Sequence, residues 1–138
     1  MRTEAPSKYT IAKNRCLPVY RWLVYDGVLI DDMNRGELRS ALSSLLGKEL
    51  SESFFDFSNV VACLSKRNWK VAVYWHPDSL TCHLTHVDSW NVYESIQTRV
   101  WLKPDETRMY TEEVAILRSA VKVIQCERFY AELSESKP

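Results

Sequence analysis

Residues 69–102 constrain the fold most, because apolar and polar side chains alternate there with a period of two. Trp69-Lys70-Val71-Ala72-Val73-Tyr74-Trp75 is β-branched and aromatic, Pro77-Asp78-Ser79 is turn chemistry, and residues 81–87 alternate again. This spacing predicts a β-hairpin turning over residues 77–80, with Trp75 opposite Cys82. Residues 92–102 form a further half-buried strand: Val92, Ile96, Val100 and Leu102 fall on one face, and Tyr93, Ser95, Gln97, Arg99 and Trp101 on the other.

The other elements follow from turn and cap chemistry. Residues 19–25 and 28–30 read as two strands joined at Asp26-Gly27, a pair that tolerates positive φ. Asn34 with Glu37 three residues later forms a capping box. It opens a helix whose stripe, Leu38, Ala41, Leu42, Leu45 and Leu46, ends at Gly47. Ser51 or Ser53 can cap a second helix running through Phe54, Phe55, Phe57, Val60, Val61 and Leu64. Residues 103–107 break the chain, and Thr111-Glu112-Glu113 supplies a cap and first-turn acids for a helix to Leu133. The expected fold is α+β in the order β-β-α-α-β-β-β-α. An antiparallel sheet of about five strands is packed by helices, with a long C-terminal helix.

The 138 residues, 46% of them hydrophobic, suit a single domain with a real core, and three glycines leave no flexible linker. Short flexible tails are expected at about residues 1–9 and 134–138. Eighteen basic residues balance eighteen acidic ones, which disfavours a protein built mainly to hold a phosphate backbone. The first 25 residues are nevertheless basic, with Lys8, Lys13, Arg15 and Arg21 beside Trp22, so an N-terminal nucleic-acid contact stays open. Cys16, Cys63, Cys82 and Cys126 include no Cys-x-x-Cys pair. With no apolar signal segment and no run near the ~20 residues of a membrane span, they read as reduced thiols of a soluble intracellular protein.

Chemistry-bearing motifs are sparse. His76, Cys82, His83 and His86 lie close enough in sequence to suggest zinc, but strand alternation turns His83 away from Cys82 and His86, so no metal is expected. His76-Pro77-Asp78 resembles the tripeptide of J domains, with Leu45-Leu46-Gly47 upstream, yet there the tripeptide joins two helices and here strand chemistry precedes it. His83-Leu84-Thr85 is similar to half of a two-histidine phosphoesterase motif, and no second copy exists. The final α-β-β-β-α order resembles double-stranded-RNA-binding domains, but Thr111-Glu112-Glu113 is acidic where a phosphate would have to sit. Asp26, Asp31 and Asp32 read as turn and helix-approach aspartates. No phosphate loop or nucleophile elbow is present, and a cysteine nucleophile would need a histidine brought near by folding. The expectation is therefore a non-enzymatic protein with no cofactor.

The sheet face carrying Tyr74, His83, Tyr93, Gln97, Arg99 and Trp101, with Lys70 alongside, has the residue types that anchor protein interfaces. It either meets another protein, the expected partner, or lies under one of the chain's own helices. The same face with the basic N-terminal residues would serve a nucleic-acid-binding module, the second choice. In the last helix, Val114, Leu117, Val121 and Ile124 sit beside Ile116, Ala120 and Val123. That apolar arc is wide enough to allow a homodimer through the helix.

Overall fold

A computed structural model of the chain describes residues 23–87 and 95–135. Strands β1 (Val24–Tyr25) and β2 (Val28–Leu29) form a separate hairpin, joined through Asp26 at φ 53° and Gly27 at φ 80°. Two successive positive φ angles are what a type I′ turn needs. Ile30–Asp32 is a 3-10 turn that drives Ile30 fully into the core. Helix α1 (Arg35–Leu46) begins at the expected capping box, where Asn34 and Glu37 exchange two 2.9 Å hydrogen bonds. It ends at Gly47, φ 72°, whose N–H donates to the Ser44 carbonyl.

The next segment departs from a single helix. Glu52–Phe55 is a short 3-10 turn, Asp56 is extended (φ −60°, ψ 145°), and only then does α2 (Phe57–Lys66) begin. The break lets Phe55 bury itself under the Arg39 guanidinium, 5.0 Å from its ring centre, and edge-on to Phe54. A continuous helix would place both aromatic rings near one another on its first turn, where β-favouring side chains fit poorly.

Strands β3 (Trp69–Trp75), β4 (Ser79–His86) and β5 (Ser95–Trp101) make an antiparallel sheet in that order. The five described strands are thus divided between two sheets, within the α+β class. The β3–β4 turn is tighter than expected: His76 N–H donates to the Ser79 carbonyl at 2.9 Å, so Trp75 faces Leu80 and Cys82 faces Val73. The register differs by two residues from the expected one. An even shift leaves every side chain on its assigned face, whereas a shift of one would invert the sheet.

Helix α3 (Arg108–Glu135) starts earlier and ends later than its pattern suggested. Thr107, not Thr111, caps it, accepting from the Tyr110 N–H at 3.1 Å. Thr111 is buried inside the first turn and returns its hydroxyl to the Thr107 carbonyl. Ser134 and Glu135, expected in a tail, extend the helix, while residues 1–9 and 136–138 lie outside the described residues.

The three helices among the described residues lie to one side of the three-stranded sheet. α3 packs on β4 and β5, α2 on β3, and α1 on the far side of α3. The wide apolar arc of α3 is consumed by this arrangement: Val114, Ile116, Leu117, Ala120, Val121, Val123 and Ile124 are all buried within one chain. A helix apolar all round is a helix packed all round. The arc therefore gives no reason for a homodimer. Ionic clamps finish the packing, with Arg35 and Arg39 of α1 on Glu113, and Arg67 and Trp69 Nε1 both donating to Glu127 at 2.8 and 2.9 Å. No helix among the described residues is long and apolar enough to cross a membrane.

Candidate interaction surface

With the helices on one side, the opposite side of the sheet is left to the side chains of alternate residues. Register places Lys70, Ala72 and Tyr74 of β3, Ser79, Thr81, His83 and Thr85 of β4, and Ser95, Gln97, Arg99 and Trp101 of β5 there. Tyr74, Thr81 and Arg99 stand abreast across the three strands. Tyr74 is 51% exposed and Trp101 56%, and no helix among the described residues covers them.

The long side chains roof the central strand. Arg99 Nε donates to Thr81 Oγ1 at 3.4 Å, and its guanidinium carbon lies 5.4 Å from the Trp101 ring centre, a cation–π stack. Thr81 is buried beneath them and also meets His76 Nε2 at 3.3 Å. His83 Nε2 lies 2.6 Å from Ser95 Oγ, fixing the ring across the β4–β5 boundary. Among the described residues this face carries two cations, Lys70 and Arg99, and no carboxylate. Among the described residues neither cation has an ion-pair partner.

Five of the six residues expected on an interaction face thus share it; Tyr93 lies outside the described residues. Lys8, Lys13, Arg15, Arg21 and Trp22 also lie outside them. The suspected zinc ligands are spread apart. Cys82 is fully buried toward the helices, His83 is on the opposite face, His76 is in the turn, and His86 stacks edge-on to Trp69 at 5.1 Å. Among the described residues no cluster of three or more His, Cys, Asp or Glu is arranged to hold a metal. Burial pushes the Cys82 thiol up to about 11, against weaker opposing contributions from the Ser119 hydroxyl and Lys122, which makes it a poor nucleophile near neutral pH.

Two basic residues of α3 escaped the sequence reading. Lys122 is buried between the helix and the sheet, with Nζ 2.8 Å from Asp31, 3.0 Å from Thr98 Oγ1 and 3.5 Å from the Gln97 carbonyl. Burial lowers its pKa from the usual lysine value, and Asp31 pulls the other way. Arg118 donates to the Met33 carbonyl at 3.1 Å and helps line a cleft of about 530 Å³ between the 3-10 turn, the start of α3 and the outer side of β5. The one visible signal was a lysine amid the apolar positions of α3, which helical periodicity alone gave no partner.

No protein-family model, no curated protein and no solved structure matches this chain.

Proposed function

We propose that this protein is a non-enzymatic protein-interaction module that captures another protein through the exposed face of its three-stranded sheet. Inhibitors, immunity proteins, viral or phage accessory factors and small adaptors work in this way. The observation that carries the reading is the strip Tyr74, Thr81 and Arg99 with Trp101 stacked beside it. These are rigid aromatics and an arginine, held in place by neighbours yet open to a partner. Such residues bury large area at little entropic cost and keep polar tips for hydrogen bonds. The module works in an intracellular, reducing setting, where its thiols stay unoxidised.

The test is capture from host extract by the tagged full chain, by Trp101→Ala and by Arg99→Ala. Both variants should fold as the parent does and lose most of the captured partner; unchanged capture by both would sink the reading. A second reading, nucleic-acid binding through the same face and the basic N-terminal residues, is favoured by one observation, the lack of any carboxylate on the face among the described residues. Salt separates the two. Binding that collapses between about 50 and 200 mM salt supports nucleic acid, and weak dependence supports a protein partner.

A further inference from the structure

Among the described residues the edge of the sheet beside this face is open as well. Two contacts fix which way the β5 peptide groups point. Leu102 N–H donates to the Asp78 carbonyl at 3.0 Å, so even-numbered residues turn toward β4. The Gln97 carbonyl meets Lys122 Nζ on the other side, so odd-numbered residues turn outward. Lys122 and Asp31 close the edge at Gln97. Beyond that point the backbone of Arg99 and Trp101 faces the cleft, and among the described residues no strand pairs with it. An unpaired edge is a template for another strand.

We propose that this edge binds a short, extended, acidic peptide segment by β-strand addition, with ladder hydrogen bonds to Arg99 and Trp101. The inference rests on the interaction reading above and names its partner class. Strand alternation dictates what the peptide carries. Its residue opposite Arg99 lies on the exposed face, where among the described residues the guanidinium meets the Thr81 hydroxyl and the Trp101 ring and no carboxylate. Lys103 at the mouth of the cleft also lacks an acidic partner among the described residues. An aspartate or glutamate there gains a cross-strand, charge-assisted pair. The flanking peptide residues point inward toward Val100, Val114 and Tyr110, where an apolar side chain fits.

The phase is set by repulsion too, since Asp31, Asp32 and Glu106 also line the cleft and would reject an acid pointing into it. A second copy of the chain is the poorer occupant. With the edge closed at Gln97, antiparallel pairing about a two-fold axis sets Arg99 against Trp101 and brings its guanidinium no acid.

The probes are capped six-residue peptides of alternating glutamate and valine, the lysine–valine counterpart, and the glutamate–valine peptide N-methylated at every second residue in each of two phases. Each is titrated into the full chain, followed by backbone amide NMR. The glutamate–valine peptide should move the Arg99 and Trp101 amides, and one methylated phase should lose binding while the other keeps it. Arg99→Glu should weaken this peptide by about tenfold or more and improve the lysine–valine one.

The proposal falls if both methylated phases bind as the parent peptide does, if Arg99→Glu changes affinity less than about twofold, or if no amide moves at about 1 mM peptide. Shifts at Lys70, Tyr74 and His83 without any at the edge would overturn the strand addition and leave the sheet face standing as an interaction surface. Shifts at Arg99 and Trp101 from an oligouridine but from no peptide would reassign the edge to nucleic acid, and a dimer in light scattering abolished by Arg99→Glu would reassign it to a second copy.

Discussion

The two faces of the three-stranded sheet are built from the same residues in alternation and have opposite chemistry. Toward the helices stand Leu80, Cys82, Leu84, Ile96 and Val100, all buried, and the one charge that enters there, Lys122, is held by Asp31 and Thr98. Away from the helices stand hydroxyls, aromatics and two cations, with no carboxylate among the described residues and with Tyr74 and Trp101 half in solvent. The first face is covered by the chain's own helices; the second is closed at Ser79 and at its centre, where Arg99 and Trp101 roof Thr81, and is open at Tyr74 and Trp101. Period-two alternation specified both faces, but burial alone shows which one the chain completes for itself.

The comparison breaks most visibly at adjacent positions of β4. Leu84 is fully buried under α3 and Thr85 is exposed on the other face. Leu84→Ala should cost about 3 to 4 kcal/mol, from lost transfer energy and a cavity among rigid neighbours. Thr85→Ala should stay within about 0.5 kcal/mol. Urea denaturation of both variants measures this, and comparable losses would mean that the exposed face is packed as well.

The Lys122 insertion sharpens the contrast. The Asp31 side chain is 55% exposed, so it stays solvated when its partner is removed, whereas Lys122 is buried and does not. Asp31→Ala should therefore destabilise the fold by about 3 kcal/mol at pH 7, and Lys122→Met should change it by no more than about 1 kcal/mol. The pH dependence has a definite sign. Burial already lowers the folded-state pKa of Lys122, and losing Asp31 lowers it further. The unfolded chain then holds a proton that the native state has released, so stability rises with pH through the window from the folded pKa to the ordinary lysine value of about 10.4. The Asp31→Ala deficit, taken against the parent at each pH, should be smaller at pH 9 than at pH 7. The raised Cys82 thiol titrates oppositely and feels the Lys122 charge, but at about 11, and higher without that charge, it stays protonated in the folded state up to pH 9, so it cancels between pH 7 and 9.

The face assignments were legible because they depend only on parity, and a two-residue error in the hairpin register left them intact. The Asn34 box, the Asp26-Gly27 turn and the Gly47 terminus were legible because each demands a particular residue at a particular φ or hydrogen bond. Less legible was anything set by distant packing. Phe55 breaks a helix in order to reach the core beneath Arg39, and Thr107 outcompetes Thr111 as a cap because Thr111 is needed inside. The breadth of the α3 arc looked like surplus surface until α1 was seen to occupy its far side. The cleft beside β5 joins residues 31–34 to residues 99–118, and local periodicity carries no information about such a meeting.

The smallest expected effect on folding is also the one that most directly probes the exposed face. Trp101→Ala and Tyr74→Ala remove large side chains that are already about half solvated, so little burial is lost and no cavity is left behind. Each should shift unfolding free energy by about 0.5 kcal/mol or less for Tyr74, and by up to about 1 kcal/mol for Trp101, which also surrenders its stack on Arg99. Partner affinity should move in the other proportion, falling by roughly 2 kcal/mol or more for Trp101→Ala, as for a central interface anchor. The ratio of the two losses is the informative quantity. A Trp101→Ala protein that loses about 3 kcal/mol of stability would show this ring to be core, covered in solution by the chain itself. A variant that folds normally and loses its partner assigns the ring to the interface.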